Sequence, residues 1–410
     1  MKVKIDDIKV IQEFYPRESL DNELVNTYRH SIGQLPPITL SKDLVLIDGY
    51  HRLVAHRIEG IAEIDVEEPF LDLTGDALYI EGIRRNAFHG KQLSMAEKRI
   101  AARRLHKNGN DKELITLLSV SDRTIDEWLK DLKAKEREQR NDEILNLYLQ
   151  CYTQEEIAEK FTLERTTVSK ILDNVKERIF AEIHTPQSLQ FYNVWNFPKC
   201  DSNYGLNFPG RIPGQIIENL LYYYTQPFDI VIDPMSGGGT TLDVCKSMHR
   251  RYQAYDIKPV REDIQQHDIS QGFPDKARGC NLIILDPPYW RLKDKEYSNE
   301  SISAKSYDEW LGFMGSLVKN CNKVLRPAGY VALIIEAFFD EKINGGFLDL
   351  TFDCVNLFNT SGFNEVQRIS IPMPTQIKSH HDIEYAKQKR ILLDLNRDLV
   401  IFRSKKNGSK

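Results

Sequence analysis

The chain lacks a run of about eighteen apolar residues, the length needed to cross a bilayer. Its start, Met1-Lys-Val-Lys-Ile-Asp-Asp7, lacks the apolar stretch of a secretory signal. Cysteine is sparse: six residues, at 151, 200, 245, 280, 321 and 354, with no Cys-x-x-Cys pair. That argues against a zinc module or disulfide frame, predicts no metal, and fits a reducing cytoplasm. There is no excess of positive charge either, since the net charge is −5. A nucleic-acid partner would therefore have to be met by local rather than global basicity. No Gly-x-Gly-x-x-Gly dinucleotide turn and no Gly-Lys-Ser/Thr phosphate loop occurs.

What is present, in 410 residues, is enough chain for two or three domains. Residues 1–90 read as a small α+β unit. Short strand-like runs, Ile38-Thr-Leu40 and Leu44-Val-Leu-Ile47, lead into Asp48-Gly-Tyr-His-Arg52 and a helix over Leu53–Ile58 that ends at Gly60. A glycine between strand and helix, with His51 and Arg52 on the first turn, is a geometry suited to anions. Gly49, His51 and Arg52 are accordingly candidate nucleotide- or phosphate-binding residues. Residues 91–180 read as all-helical. The basic run Glu97–Lys107 precedes two segments with a helix-turn-helix pattern. The first is Asp111–Leu129, with Ser121 or Asp122 as cap and Arg123 exposed at the start of its second helix. The second is Thr153–Leu172, with Ile157, Ala158, Phe161, Val168 and Ile171 as its apolar seam. Arg165, Thr166, Thr167, Ser169 and Lys170 would face a major groove. Between the two lies the charged run Lys133–Asp142, which reads as a helix extension or linker.

Residues 185–404 alternate strand-like and helix-like segments, the pattern of a parallel sheet with crossover helices. Strands are predicted at Asp229–Asp233, Arg251–Asp256, Asn281–Asp286, Tyr330–Ile335 and Arg397–Arg403. Ligands of such sheets bind at the carboxyl ends of the strands, and polar groups cluster there. Asp233-Pro-Met-Ser-Gly-Gly-Gly-Thr-Thr241 follows the first strand, Asp256 ends the second, and His267-Asp268 follows a shorter run. Asp286-Pro-Pro-Tyr289 ends the third. Any one of these carboxylates alone would pass as a cap, and Asp-Pro-Pro alone as a turn. Four at successive strand ends around one glycine-rich loop point to a site.

On those residues, this segment resembles the S-adenosylmethionine-dependent DNA N6-adenine/N4-cytosine methyltransferases. Asp233–Thr241 is similar to their cofactor loop, with Met235 where Phe is usual, and Asp286–Tyr289 to their catalytic tetrapeptide. Phe208–Ile217, with Arg211 and Pro213, resembles the segment that helps bind the methionine end of the cofactor. The resemblance implies that Asp233, Pro234, Met235, Ser236, Gly237, Gly238, Gly239, Thr240 and Thr241 form the cofactor loop. It further implies that Asp256 meets the ribose, Asp268 the adenine amine, and Asp286, Pro287, Pro288 and Tyr289 the target base. The N-terminal segment resembles the ParB/sulfiredoxin-like nuclease-type domain. It has Tyr50 where sulfiredoxin carries its cysteine, and only His51-Arg52 of the arginine-rich box, so CTP binding stays open. The expected architecture is thus multidomain: a small α+β ParB-like domain, a central helix-turn-helix region, and a C-terminal Rossmann-like class I methyltransferase sheet.

The chemistry expected is methyl transfer to an exocyclic base amine of double-stranded DNA. Such an amine is a poor nucleophile, because its lone pair is delocalised into the ring. A site for it needs acceptors for the amine protons and a flat stacking face, here Asp286, a backbone carbonyl beside Pro287, and Tyr289. The base must leave the duplex to reach them. No cysteine follows a proline as cytosine-C5 enzymes require. Asp at the head of the tetrapeptide leans toward adenine N6, with cytosine N4, RNA and protein glutamine as alternatives. A ParB-like DNA-binding regulator with a structural methyltransferase half is the competing reading. A homodimer and a phage or mobile-element setting are compatible with either. The loop Arg291–Ser306 and the stretch Lys378–Lys389 are candidates for reading the target sequence.

Overall fold

The computed structural model describes every residue except 18, 89–91, 108–110, 183–184, 209, 289–305, 340–346, 373–379, 394 and 407–410. The loop expected to read the target thus falls outside the described residues up to Ser306, and so does Tyr289, expected to stack on the target base. The chain divides into two compact units, Met1–Arg140 and Asn141–Lys410.

The first unit opens with strands β1 (Lys2–Lys4), β2 (Thr39–Leu40), β3 (Leu46–Asp48) and β4 (Glu63–Asp65) and helices α1 (Asn22–Arg29) and α2 (Tyr50–Ile58). Strand β1 pairs antiparallel with β4, and β2 with β3, over a core that includes Ile5, Ile38, Leu40, Leu46 and Leu53. Helices α3 (Asp76–Phe88), α4 (Met95–Leu105), α5 (Asp111–Leu118) and the start of α6 (Asp122–Leu149) follow. They share one core, in which Ile83 of α3 meets Ala101, Leu114, Leu118, Ile125 and Leu129. Position 90 is therefore not a seam, because α3 buries its apolar side among the helices that follow. The charged run 133–142 is helical and lies inside α6.

The second unit begins in the last turns of α6 and continues with α7 (Gln154–Phe161) and α8 (Arg165–Ala181). A capping box between Thr153 and Glu156 starts α7, and Thr162 in the left-handed region ends it. Ile144, Leu147, Ile157, Val168 and Leu172 fill the space between these helices. The neighbouring face of α6 packs against the large sheet of this unit instead. Leu149 belongs to the core formed by α9 (Gly214–Tyr224), α10 (Thr240–Ser247) and the sheet, with Leu145 packed against it. The Arg251 guanidinium lies 4.4 Å over the Tyr148 ring and its Nε donates to the Tyr148 carbonyl at 3.2 Å. Phe180 of α8 meets Phe228 edge-on at 5.9 Å. The helical segment expected at 91–180 is thus shared between two units.

The remaining elements are β5 (Ile230–Asp233), β6 (Arg251–Asp256), β7 (Gln265–Gln266), β8 (Cys280–Leu285), α11 (Tyr307–Val324), β9 (Leu325–Ile335), β10 (Phe338–Phe339), β11 (Phe347–Leu348), α12 (Leu350–Thr360), β12 (Phe363–Pro372), α13 (His380–Lys389) and β13 (Asn396–Ser404). Seven of the strands form one sheet in the order β12-β13-β9-β8-β5-β6-β7. Strands β7, β6, β5, β8 and β9 run parallel, while β13 is antiparallel to β9 and β12 to β13. The expected parallel sheet is therefore mixed. Strand β9 also starts earlier than expected, at Leu325, with a register irregularity around Pro327-Ala-Gly329. Side chains of β8 alternate between two cores, as a strand buried on both faces requires. Cys280, Ile283 and Leu285 face α11 and α12, while Leu282 and Ile284 face α9 and α10. The chain leaves β5 for β6 on one side and for β8 on the other, so the strand order reverses between β5 and β8. That switch point is where an open α/β sheet has a crevice.

Candidate active site

The crevice is there. At the carboxyl ends of β5 and β8 lies a cleft of about 820 Å³, the open solvent at its mouth included. One wall is Asp233 and the loop Met235-Ser-Gly-Gly238 with Thr240 and Thr241; the other is Asp286-Pro287-Pro288. Phe208, Gly210, Arg211 and Ile212 line its rim, and Arg397 closes the far side.

The glycine loop is held by its own hydrogen bonds. The Ser236 hydroxyl donates to the Asp233 carbonyl at 2.9 Å, and the Ser236 N–H to the Tyr255 carbonyl at 2.9 Å. The Asp256 carboxylate accepts from the Gly237 N–H at 2.9 Å through one oxygen and from the Lys258 N–H at 2.9 Å through the other. Asp256 therefore ties the end of β6 to the loop. Gly237 and Gly239 have positive φ, +47° and +83°. A Cβ on Gly238 would stand 2.8 Å from the Phe208 Cβ, and one on Gly239 would stand 2.6 Å from Arg261 Nη1. Arg261 is itself gripped by both Asp243 oxygens at 2.8 Å and by Asp263 at 2.8 Å, with Lys246 on Asp263 at 2.7 Å. Burial pushes the Asp263 carboxyl up, but Arg261 and Lys246 outweigh it and hold it down at about 2.

Asp233 is buried, and desolvation raises its carboxyl to about 6 despite hydrogen bonds from Thr241 and the Met235 N–H (3.1 Å). The charges of Asp286 and Asp256 push it the same way. Asp286 and Asp233 thus face a common space, one half-buried and the other buried. Behind the Asp286-Pro287-Pro288 turn, the fully buried Trp310 of α11 donates from Nε1 to the Pro288 carbonyl at 3.2 Å. Tyr307 stacks on Trp310 with ring centroids 6.2 Å apart, and its hydroxyl donates to Asp353 of α12.

Several expected residues sit elsewhere. Asp268 caps the short turn Ile269–Gln271, accepting from the Ser270 N–H at 2.9 Å, and is not among the cleft-lining residues. Pro213 caps α9, and Pro234 and Gly239 support the loop from outside the lining. Arg211 lines the cleft, yet its Nη2 donates to the carbonyls of Asp201 and Tyr204. On α8, Arg165 pairs with Glu155 at 2.6 Å and Ser169 donates to Asp173 at 3.3 Å, while Thr166 and Lys170 are exposed. Arg123 is exposed on α6, whose first turn is held by Ser121 Oγ accepting from the Thr124 N–H at 3.2 Å. Residues missed in the sequence are Trp310, Glu336 and Arg397. A charged residue opening an apolar strand, Arg397-Asp-Leu-Val-Ile, was the available signal for the last.

In the first unit the strand–glycine–helix turn forms, with Gly49 at φ +106° between β3 and α2. Its side chains are spent internally. Arg52 donates to Asp48 at 2.7 Å and to the Pro37 and Pro36 carbonyls at 2.9 and 3.2 Å. Nε2 of the buried His51 accepts from the Asp21 N–H at 3.0 Å. These contacts remove the basis for expecting CTP there. Among the described residues no cluster of His, Cys, Asp or Glu suits a metal, and no helix is long and apolar enough to cross a membrane.

A family model described as a DNA methylase matches residues 91–267 and 280–393. The Type II methyltransferase M.BglII of Bacillus subtilis is 28% identical over 131 residues, which cover 28% of this chain and 36% of that protein. The chain thus spans little more than a third of that relative's length. Among solved structures, TrmN from Thermus thermophilus is similar with a TM-score of 0.30 and 14% identity, over 48% of this chain and 50% of that one. The N-methyltransferase NodS from Bradyrhizobium japonicum WM9, solved with S-adenosyl-L-homocysteine, gives 0.31 and 16%, over 47% and 86%. Neither score is high enough to bear on the chemistry. The family match takes in well over half of the chain, and on that ground the chain belongs to the N6/N4 DNA methylase family.

Proposed function

We propose that this protein transfers a methyl group from S-adenosylmethionine to an exocyclic amine of a base in double-stranded DNA, adenine N6 ahead of cytosine N4. The observation that carries this reading is the cleft at the β5/β8 switch point. It has a glycine cradle on one wall and Asp286-Pro287-Pro288 on the other. The cradle fits a cofactor chemically, because bare backbone of Gly237 and Gly238 lines the cleft where a Cβ would meet Phe208, and one on Gly239 would meet Arg261. Asp233, Gly237, Gly238, Thr240 and Thr241 would hold it, with Asp256 fixing the loop and Arg211 and Phe208 at the rim. When bound, S-adenosylmethionine supplies an already activated methyl, so no nucleophilic side chain is required.

The residues then act by position. Asp286 would accept a hydrogen bond from the amine N–H and keep the nitrogen lone pair aimed across the cleft toward the glycine wall. Once the new N–C bond replaces the methyl's bond to sulfur, the extra proton on the nitrogen leaves to solvent past Asp286. Trp310 occupies the Pro288 carbonyl, which leaves the Pro287 carbonyl as the turn's second acceptor for the amine. Catalysis on this reading is alignment. Tyr289 would supply the stacking face. DNA contact falls to Thr166, Thr167, Ser169, Lys170 and Arg165 on α8 and Arg123 on α6, with α7–α8 acting as a helix-turn-helix. The first unit is read as a ParB-like domain without nucleotide.

Incubation with labelled S-adenosylmethionine and unmodified duplex DNA, followed by nucleoside analysis, tests this. N6-methyladenine is expected, and Asp286→Ala lowers its formation about 10³-fold, the scale of losing one preorganised transition-state contact, while cofactor binding persists. Cofactor binding with label only in RNA or protein would overturn the substrate assignment.

A further inference from the structure

The cleft carries a buried ion pair that neither the glycine loop nor the Asp-Pro-Pro turn accounts for. Arg397, at the start of β13, lines the cleft although only 8% of it is exposed. Its Nε lies 3.8 Å from Oε2 of Glu336, which follows the last residue of β9 and is 4% exposed. The sheet explains the placement. Leu285 of β8 stands beside Leu333 of β9, and Ile335 of β9 beside Asp398 of β13. Continuing these registers, Asp286 comes level with Ile334, and Glu336 and Arg397 come level with each other two residues further out, so all three lie at the same end of the sheet and on the same face. Two strand spacings sideways and two residue steps along the strand separate Asp286 from Arg397, roughly 12 Å. An arginine and an aspartate side chain together span most of that distance, so their heads converge within the cleft.

Taking a guanidinium and a carboxylate out of water costs free energy that the pair recovers only in part. A pair kept at a cleft wall rather than in the core is placed where a ligand can use it. Arginine offers five N–H donors in a fixed fork, so Glu336 can orient one side of the fork while another side addresses the cleft. We infer that Arg397 reads the target base, donating a hydrogen bond to the ring nitrogen next to the amine that Asp286 holds. The inference rests on the reading of the cleft as an amine-methylating site and deepens it. A carboxylate acceptor beside a guanidinium donor matches an edge with an N–H₂ donor beside an unprotonated ring nitrogen. Adenine (N6 and N1) and cytosine (N4 and N3) present that edge. Guanine places an N–H beside its amine and would meet donor with donor. A glutamine side chain has no such ring nitrogen.

The test needs a duplex containing the site that the wild-type protein methylates, and the same duplex with 1-deazaadenine at the target. If cytosine proves to be the methylated base, 3-deazacytosine replaces it. The analogue keeps the amine and replaces the ring nitrogen by C–H. Wild-type kcat/KM should fall about 10–100-fold on the analogue, the range for one hydrogen bond to a charged group. Arg397→Met should show a comparable fall on the normal duplex, unchanged cofactor affinity, and little further loss on the analogue. A change in the intrinsic reactivity of the amine would persist in the variant, so only a closed cycle supports the contact. Arg397→Lys, which keeps a donor, should recover part of the activity, and the wild-type comparison stands even if Arg397→Met fails to fold. Equal wild-type rates on both duplexes overturn the assignment, and so does an undiminished analogue penalty in Arg397→Met. No methyl transfer to any DNA overturns the underlying reading as well.

Discussion

Two strand–glycine–helix junctions in this chain look alike in sequence and do opposite things. In the first unit, Gly49 joins β3 to α2 with φ +106°, and the polar residues around it close on one another: Arg52 on Asp48, His51 on the Asp21 N–H. In the second unit, Gly237–Gly239 joins β5 to α10, and the stabilising charges sit behind the loop, in Arg261, Asp243 and Asp263. The inner surface of that loop stays open to the cleft. A glycine turn between strand and helix therefore marks a place where backbone can approach a ligand. Whether a ligand is approached depends on where the neighbouring side chains spend their hydrogen bonds.

The sharpest way to break this comparison is to place a Cβ in each turn. Gly239→Ala meets Arg261 Nη1 at 2.6 Å in a left-handed backbone, so it should cost cofactor affinity about 100-fold, for roughly 1–3 kcal/mol of strain displaces the loop. Gly49→Ala meets Ile38 Cγ2 at 2.5 Å and should lower the Tm by several degrees, while titration calorimetry shows cofactor affinity unchanged. Loss of cofactor binding in Gly49→Ala would erase the distinction.

Asp233 sharpens the same contrast through pH. Its carboxyl sits at about 6 in the fold against the ordinary aspartate value of 3.8, so between those values the folded state holds a proton that the unfolded chain has released. Stability contributed by this group falls as pH rises through that window. Asp233→Asn removes the effect. Relative to wild type, the variant should gain up to ~3 kcal/mol in urea unfolding at pH 8 and nothing at pH 4. A constant difference across this range would contradict the assignment.

The smallest effect expected is at Trp310. Trp310→Phe keeps an aromatic ring against Tyr307 but removes the donor to the Pro288 carbonyl. About a tenfold fall in kcat is expected, the scale of one net hydrogen bond, with the cofactor dissociation constant unchanged. An equal fall in cofactor affinity would mean that Trp310 supports the whole sheet rather than the catalytic turn.

Much of the second unit was legible because its signals are local. Apolar runs ending in Asp-Pro, a glycine triplet and Asp-Pro-Pro each declare a strand end without reference to the rest of the chain. The antiparallel β12 and β13 were not legible as such, since strand direction is a property of pairing rather than of composition. Arg397 was written off with its strand for the same reason: only the order β8-β9-β13 brings it to the cleft. Trp310 reads as one more apolar position on an amphipathic helix, and nothing in the sequence says that its N–H has a backbone carbonyl to meet. In the first unit the turn at Gly49 was legible as geometry, but the partners that consume His51 and Arg52 come from Asp21, Pro36 and Pro37. Two of these belong to a loop that carries no motif of its own.

Helix α6 carries a consequence for how such proteins exchange parts. Leu145 and Leu149 lie against the core beneath β5 and β6, while Ile144 and Leu147, on the same turns, fill the space under α7 and α8. A gene fusion joined at residue 185 would deliver a sheet with its underside stripped of those leucines and of the Tyr148 seat for Arg251. The unit that keeps the underside of the sheet covered therefore starts upstream of α7, and a junction that preserves it falls before Leu145, within α6 or earlier.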